Sequence, residues 1–145
     1  MSKLIATLEQ LHMLRNRAVK ETGARLNAQQ QLCQRYEKNI TTLTSLAAGM
    51  SPESGNSALQ MVNHSGYKRT LQRVIDWQKQ EHALAELEAR QLQGALLQEA
   101  KREKGLEVVL DAKRSERHAE QERRERKATD AISAQCWLRQ RLAHR

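Results

Sequence analysis

Between residues 2 and 48 the apolar positions keep a seven-residue rhythm. Ile5, Val19, Leu26, Cys33, Ile40 and Ala47 fall on one line, with His12 as its polar exception. Leu8, Tyr36 and Leu43 lie three residues after members of that line and share a second line with Arg15, Thr22 and Gln29. At 3.6 residues per turn these positions form one stripe along a helix. The stripe is patchy, because polar members interrupt the apolar ones. Glu21 and Arg25 are spaced i,i+4 in the favourable order for a helix-surface pair.

A second rhythm begins at Leu71 and steps by four and three. It runs through Leu71, Ile75, Gln78, His82, Ala85, Ala89, Leu92, Leu96, Glu99, Glu103, Leu106 and Leu110. Eight of these twelve are apolar and the polar ones come in pairs. Such an imperfect heptad suits packing against one partner helix and not against a wide core. Between the two rhythms lies GMSPESGNSALQMVNHSG, residues 49–66, with Pro52, the chain's one proline, and three of its six glycines. That is turn chemistry. Ser57 and Gln60 have the spacing of a capping box, which would start the second helix near residue 58. Gly94 and Gly105 each cost about 1 kcal/mol relative to Ala and mark soft points inside that helix.

The predicted fold is all-α. It is an antiparallel two-helix coiled coil, a long helical hairpin with the longer helix second (about 2–48 and about 58–143), forming a single domain. At about 1.5 Å per residue the helices would span about 70 Å and roughly 115 Å, so the second outruns the first by about thirty residues. The stretch ERRERKATDAIS, residues 122–133, falls in that overhang. A helix without a partner is expected to be charged all round. Glu120–Arg124 and Glu122–Arg126 are i,i+4 pairs that would support it by about 0.2–0.5 kcal/mol each. Apolar residues then return as Ile132, Trp137, Leu138 and Leu142, which argues against a disordered tail.

Composition agrees with this. Ala, Leu, Glu, Gln, Arg and Lys dominate, there is no phenylalanine, and the aromatic residues are two tryptophans and two tyrosines. The net charge of +8 would suit nucleic acid, an anionic surface or an acidic protein. The 25 basic and 17 acidic residues are interspersed, however, and no aromatic stacking platform accompanies them, so no nucleic-acid partner is expected. The N-terminus lacks the apolar core of a signal peptide. No stretch approaches the ~18 apolar residues of a membrane span, and the stripe is too narrow for an interfacial helix. Cys33 and Cys136 form no CxxC motif. A soluble cytoplasmic protein with reduced thiols is expected.

Candidate chemistry is sparse. His12, His64, His82, His118 and His144 are scattered singly and make no HxxxH or HExxH pair. No strand and glycine-rich loop is present to hold a phosphate, and a two-helix hairpin offers no concave pocket to exclude water. The expectation is therefore a non-enzyme with no catalytic residues, no cofactor and no metal.

The layout as a whole resembles the FliJ family, coiled-coil proteins of the flagellar type III export ATPase complex. The charged C-terminal run is similar to that family's Glu-x-Lys followed by an acidic residue, here Glu125, Lys127 and Asp130. NHSGYKRTLQRVIDWQ is similar to its second-helix start, an aromatic with apolar residues at +4 and +7, here Tyr67, Leu71 and Val74. The resemblance implies a non-hydrolysing stalk like the shaft of rotary ATPases. Its end with both termini would enter the hexameric export ATPase ring, and it would also contact the cytoplasmic part of the export gate and the export chaperones. It would be a monomer, held peripherally at the inner face of the cytoplasmic membrane through its partners. An equivalent stalk of a virulence type III secretion system and a generic cytoplasmic coiled-coil adaptor are the alternatives, the adaptor being expected to form a stable homodimer.

Two surfaces follow. Asn39, Leu43, Leu46 and Met50, and likewise Tyr67, Leu71, Val74 and Gln78, keep 4-3-4 spacing on either side of the bend. Leu71 already serves the seam, while Tyr67 and Val74 lie at its edge, so this end is the expected export-gate contact. At the other end Leu4, Leu8, Trp137, Leu138, Arg139, Arg141 and Leu142 make a basic, amphipathic surface, the expected ATPase-ring contact.

Overall fold

The computed structural model describes residues 2–50 and 58–144. Among them all regular structure is helical, α1 over Ser2–Ala48 and α2 over Ala58–Ala143. The chain is thus an all-α helical hairpin whose second helix is the longer. Of the turn-rich stretch 49–66, residues 51–57 lie outside the described residues, and with them Pro52 and the Ser57 end of the expected capping box. Ala58–Gly66 belong to α2, where Ala58, Leu59, Gln60 and Met61 supply helix-forming side chains. α1 ends by tightening: Gly49 N–H donates to the Ser45 carbonyl at 2.9 Å and Met50 N–H to the Ala47 carbonyl at 3.4 Å. No described glycine has a positive φ, so Gly49 is not a left-handed cap.

Contacts group the chain into two compact units, each built from a length of both helices. In the unit of Met1–Arg17 and Ala100–Arg145, Glu9 meets Arg114 at 3.0 Å and Asn16 meets Glu103 at 3.0 Å. In the unit Ala18–Glu99, Thr22 meets Glu99, Gln29 meets the Ala85 carbonyl, and Glu37 meets His82. Within each unit the α2 number falls as the α1 number rises, so the helices pack antiparallel.

The predicted stripes are the packed faces. All thirteen positions of the two α1 lines, from Ile5 to Ala47, are buried or half-buried. So are all twelve α2 positions from Leu71 to Leu110. The most enclosed side chains are Ile5, Thr22, Cys33, Leu71, Ile75, Ala85 and Leu110. Each large aliphatic among them contributes about 1.5–3 kcal/mol through burial. Several polar groups are bonded across the seam: Thr22 Oγ1 donates to Glu99 Oε2 at 2.7 Å, Asn16 Nδ2 to Glu103 Oε1 at 3.0 Å, and Gln29 Nε2 to the Ala85 carbonyl at 3.0 Å, whereas His12 Nε2 and Gln78 Oε1 are buried without a hydrogen-bond partner among the described residues. His12 Nε2 lies 3.7 Å from Glu103 Oε1.

Two surface pairs differ from expectation. Glu120 and Arg124 do pair, at 3.0 Å. Glu122 instead turns back one turn to His118, at 3.6 Å, and not forward to Arg126. Glu21 and Arg25 form no ion pair within 4 Å, their flexible side chains staying in water, where such pairs gain little.

Candidate functional site

In the unit of Met1–Arg17 and Ala100–Arg145, every described residue from Gln121 to His144 is exposed, and all but the last lie on α2. Six of these residues are basic and three acidic. Ala131, Leu138 and Leu142 recur at seven and four residues, so they share one exposed helix face. One turn of the neighbouring face holds Trp137, 57% exposed, with the Arg141 guanidinium 5.0 Å from its ring centroid. The two side chains make a cation–π contact one turn apart on α2. Arg139 and Ile132 are exposed as well.

The ring-contact residues do not form one patch. Leu4 is exposed and Leu8 half-buried near the start of α1, where neighbouring Glu9 meets Arg114. Trp137 lies about 35 Å farther along α2 than Arg114, at about 1.5 Å per residue.

The gate-contact residues, all in the unit Ala18–Glu99, divide into two groups. Leu71, 7% exposed, belongs to the seam, and Leu43, Met50 and Gln78 are half-buried along it. Asn39, Leu46, Tyr67 and Val74 are exposed, Tyr67 at 53% and Val74 at 39%. Leu59, Met61 and Val62 at the start of α2 are also exposed and were not among the expected contacts. They lie within the helix expected from about residue 58 but ahead of Tyr67, where the 4-3-4 spacing that picks out this surface begins.

The two cysteines differ. Cys33 is buried in the seam, and burial first, then the charges of Glu86 and Glu37, push its thiol pKa up. Cys136 is exposed. No helix among the described residues is long and apolar enough to cross a membrane.

A paired-helix seam, an unpartnered helical end and exposed apolar side chains near the bend are therefore the features to be explained. A family model described as "Flagellar FliJ protein" matches residues 4–142. The chain belongs to the FliJ family. Comparison with curated proteins gave no match, and neither did comparison with solved structures. The matched span takes in both helices nearly end to end, including the Tyr67, Leu71, Val74 stretch and the Glu125, Lys127, Asp130 run. Membership makes the chain a coiled-coil component of a flagellar type III export apparatus.

Proposed function

We propose that this FliJ-family chain is the non-enzymatic stalk of its export apparatus. It enters and stimulates the hexameric export ATPase ring and links that ring to the export gate and to export chaperones. The observation that carries the reading is the run of exposed helix from Gln121 to Ala143, on which Trp137, Leu138 and Leu142 find no cover among the described residues. Large apolar side chains framed by arginines are the usual anchors of protein interfaces. A ring pore would bury them, and the acidic and basic residues before them keep the helix solvated up to that point.

The gate contact is made from Asn39, Leu46, Tyr67 and Val74, whose side chains are accessible, with Leu43, Met50, Leu71 and Gln78 supporting them from the seam. The protein works as a monomer in the cytoplasm, peripheral to the membrane through its partners, because its seam closes within one chain.

The test is ATP hydrolysis by a purified flagellar export ATPase with and without this protein, paired with light scattering of the protein alone. Stimulated hydrolysis with ring assembly, from a monomer, is the expected result. An unaffected ATPase together with a stable homodimer would replace the stalk with a generic coiled-coil adaptor.

A further inference from the structure

We propose that Glu37, His82 and Glu86 form a binding site for a divalent transition-metal ion of the zinc class, clipping α1 to α2 within the unit Ala18–Glu99. His82 and Glu86 are one turn apart on α2, and Glu37 reaches them from α1. His82 Nε2 lies 3.3 Å from Glu37 Oε1 and 3.5 Å from Glu86 Oε1, and the three candidate ligand atoms all lie within 4.8 Å of one another.

The Glu37–His82 contact is a hydrogen bond, longer than the about 2.7–2.9 Å to which charge-assisted ones close, and the His82–Glu86 separation is longer still. They match the ligand–ligand edge of about 3.4 Å that zinc bonds of 2.0–2.2 Å give in a tetrahedron. One imidazole and two carboxylates form a donor set suited to zinc and its neighbours, and poorly suited to magnesium, which takes oxygen ligands and holds its waters.

The local charge points the same way. Two carboxylates converge on one imidazole, and the cation nearest to Glu86 in a pair is Arg90, 4.0 Å away on the carboxylate's other oxygen, leaving Oε1 to the cluster. Glu37 is exposed and Glu86 and His82 are half-buried, so an ion can enter from solvent and keep water in a remaining position. The buried Cys33 lies one helical turn before Glu37 and feels both carboxylates, but its sulfur is not one of the clustered ligand atoms. Because the ligands come from both helices, the ion adds a cross-link to the seam. Neither helix alone carries a complete set, which is why single histidines without HxxxH spacing conceal it in the sequence.

The test is thermal melting of the full-length protein after chelation, followed by addition of zinc or of magnesium. Zinc at about a hundredfold over its Kd should raise the Tm by about 5–10 °C, and magnesium should leave it unchanged. Glu37→Gln should abolish the zinc shift without altering the metal-free Tm, since the side chain is exposed and nearly isosteric. His82→Gln should abolish it too, whatever it does to the metal-free Tm. Calorimetric titration should give one zinc per chain in the parent and none at this affinity in either variant. No shift at millimolar zinc, an equal shift with magnesium, or a zinc shift retained in Glu37→Gln would each overturn the assignment.

Discussion

Thr22 Oγ1 donates a 2.7 Å hydrogen bond to Glu99 Oε2 across the seam of the unit Ala18–Glu99. Both residues occupy positions that an ideal coiled coil fills with aliphatic side chains, and Thr22 is 8% exposed. At this level of the seam the patchiness of the two rhythms is resolved by polar partners on opposite helices. Gln29 repeats the device by donating to the Ala85 carbonyl. Polar seam positions lower stability but penalise a slipped register, because a slip leaves a half-buried carboxylate without its donor.

Thr22→Val should therefore destabilise the protein by about 1.5–3 kcal/mol, the range for losing a hydrogen bond to a charged group. Adding Glu99→Leu should recover most of that loss, since the unpaired carboxylate goes with it. Urea denaturation of the four proteins of this cycle measures the coupling. Additive losses would mean that the two side chains do not work as a pair.

The seam was legible in the sequence because 3-4 spacing fixes a helix face without knowledge of its partner. The pairing across it was not. Which α2 residue faces Thr22, or Glu37, depends on the relative slide of two helices, and the period of each helix is nearly blind to slide. The same gap hid the Glu37, His82, Glu86 cluster, whose members lie on different helices. The division at Arg17–Ala18 and Glu99–Ala100 was also unreadable, since no proline or glycine marks either point. Of the outward surface, the exposure of Tyr67, Val74, Trp137 and Leu142 follows from their places off the seam. Glu122's choice of His118 over Arg126 is a matter of side-chain rotamers, which spacing does not decide.

Gly94 and Gly105 lie in the interior of α2, and a Cβ added at either would meet nothing within 4 Å. Gly94→Ala and Gly105→Ala should each stabilise the protein by about 1 kcal/mol, through helix propensity and a less free unfolded chain. Thermal melts followed at 222 nm check this. A lower Tm in either variant would show that the glycine serves a bend or a close approach.

The two thiols should differ in reactivity. Alkylation needs the thiolate, and Cys33 is buried with its pKa pushed up by burial and by Glu86 and Glu37, whereas Cys136 is exposed. At mildly alkaline pH, iodoacetamide should modify Cys136 at least about tenfold faster than Cys33, as read by peptide mass spectrometry. Unfolding in urea should equalise the rates, and equal rates in the folded protein would mean that the seam opens at Cys33.

Tyr67 and Val74 are exposed beside the buried Leu71. Replacing both by Ala should change the stability by no more than about 1 kcal/mol, as expected for surface changes. It should also abolish binding to the cytoplasmic domain of the export gate in a pull-down with purified partners. Leu71→Ala should instead cost about 2–5 kcal/mol, the range for a core truncation. If the double variant melted like Leu71→Ala, Tyr67 and Val74 would belong to the seam.

Removal of residues 121–145 takes away no described side chain that is buried or half-buried. The Glu9–Arg114 pair and the buried Ile5 and Leu110 all stay in place. The shortened chain should melt within a few degrees of the full one and lose helical signal only in proportion to the residues removed. It should nonetheless fail to stimulate the export ATPase, since Trp137, Leu138, Arg139, Arg141 and Leu142 go with the segment. A finer variant, Trp137→Ala with Leu138→Ala, should reduce stimulation at least about tenfold, as loss of interface anchors worth 1–2 kcal/mol or more would do. Full stimulation by the shortened chain would move the ring contact to Leu4 and Leu8, the ring-contact side chains it retains.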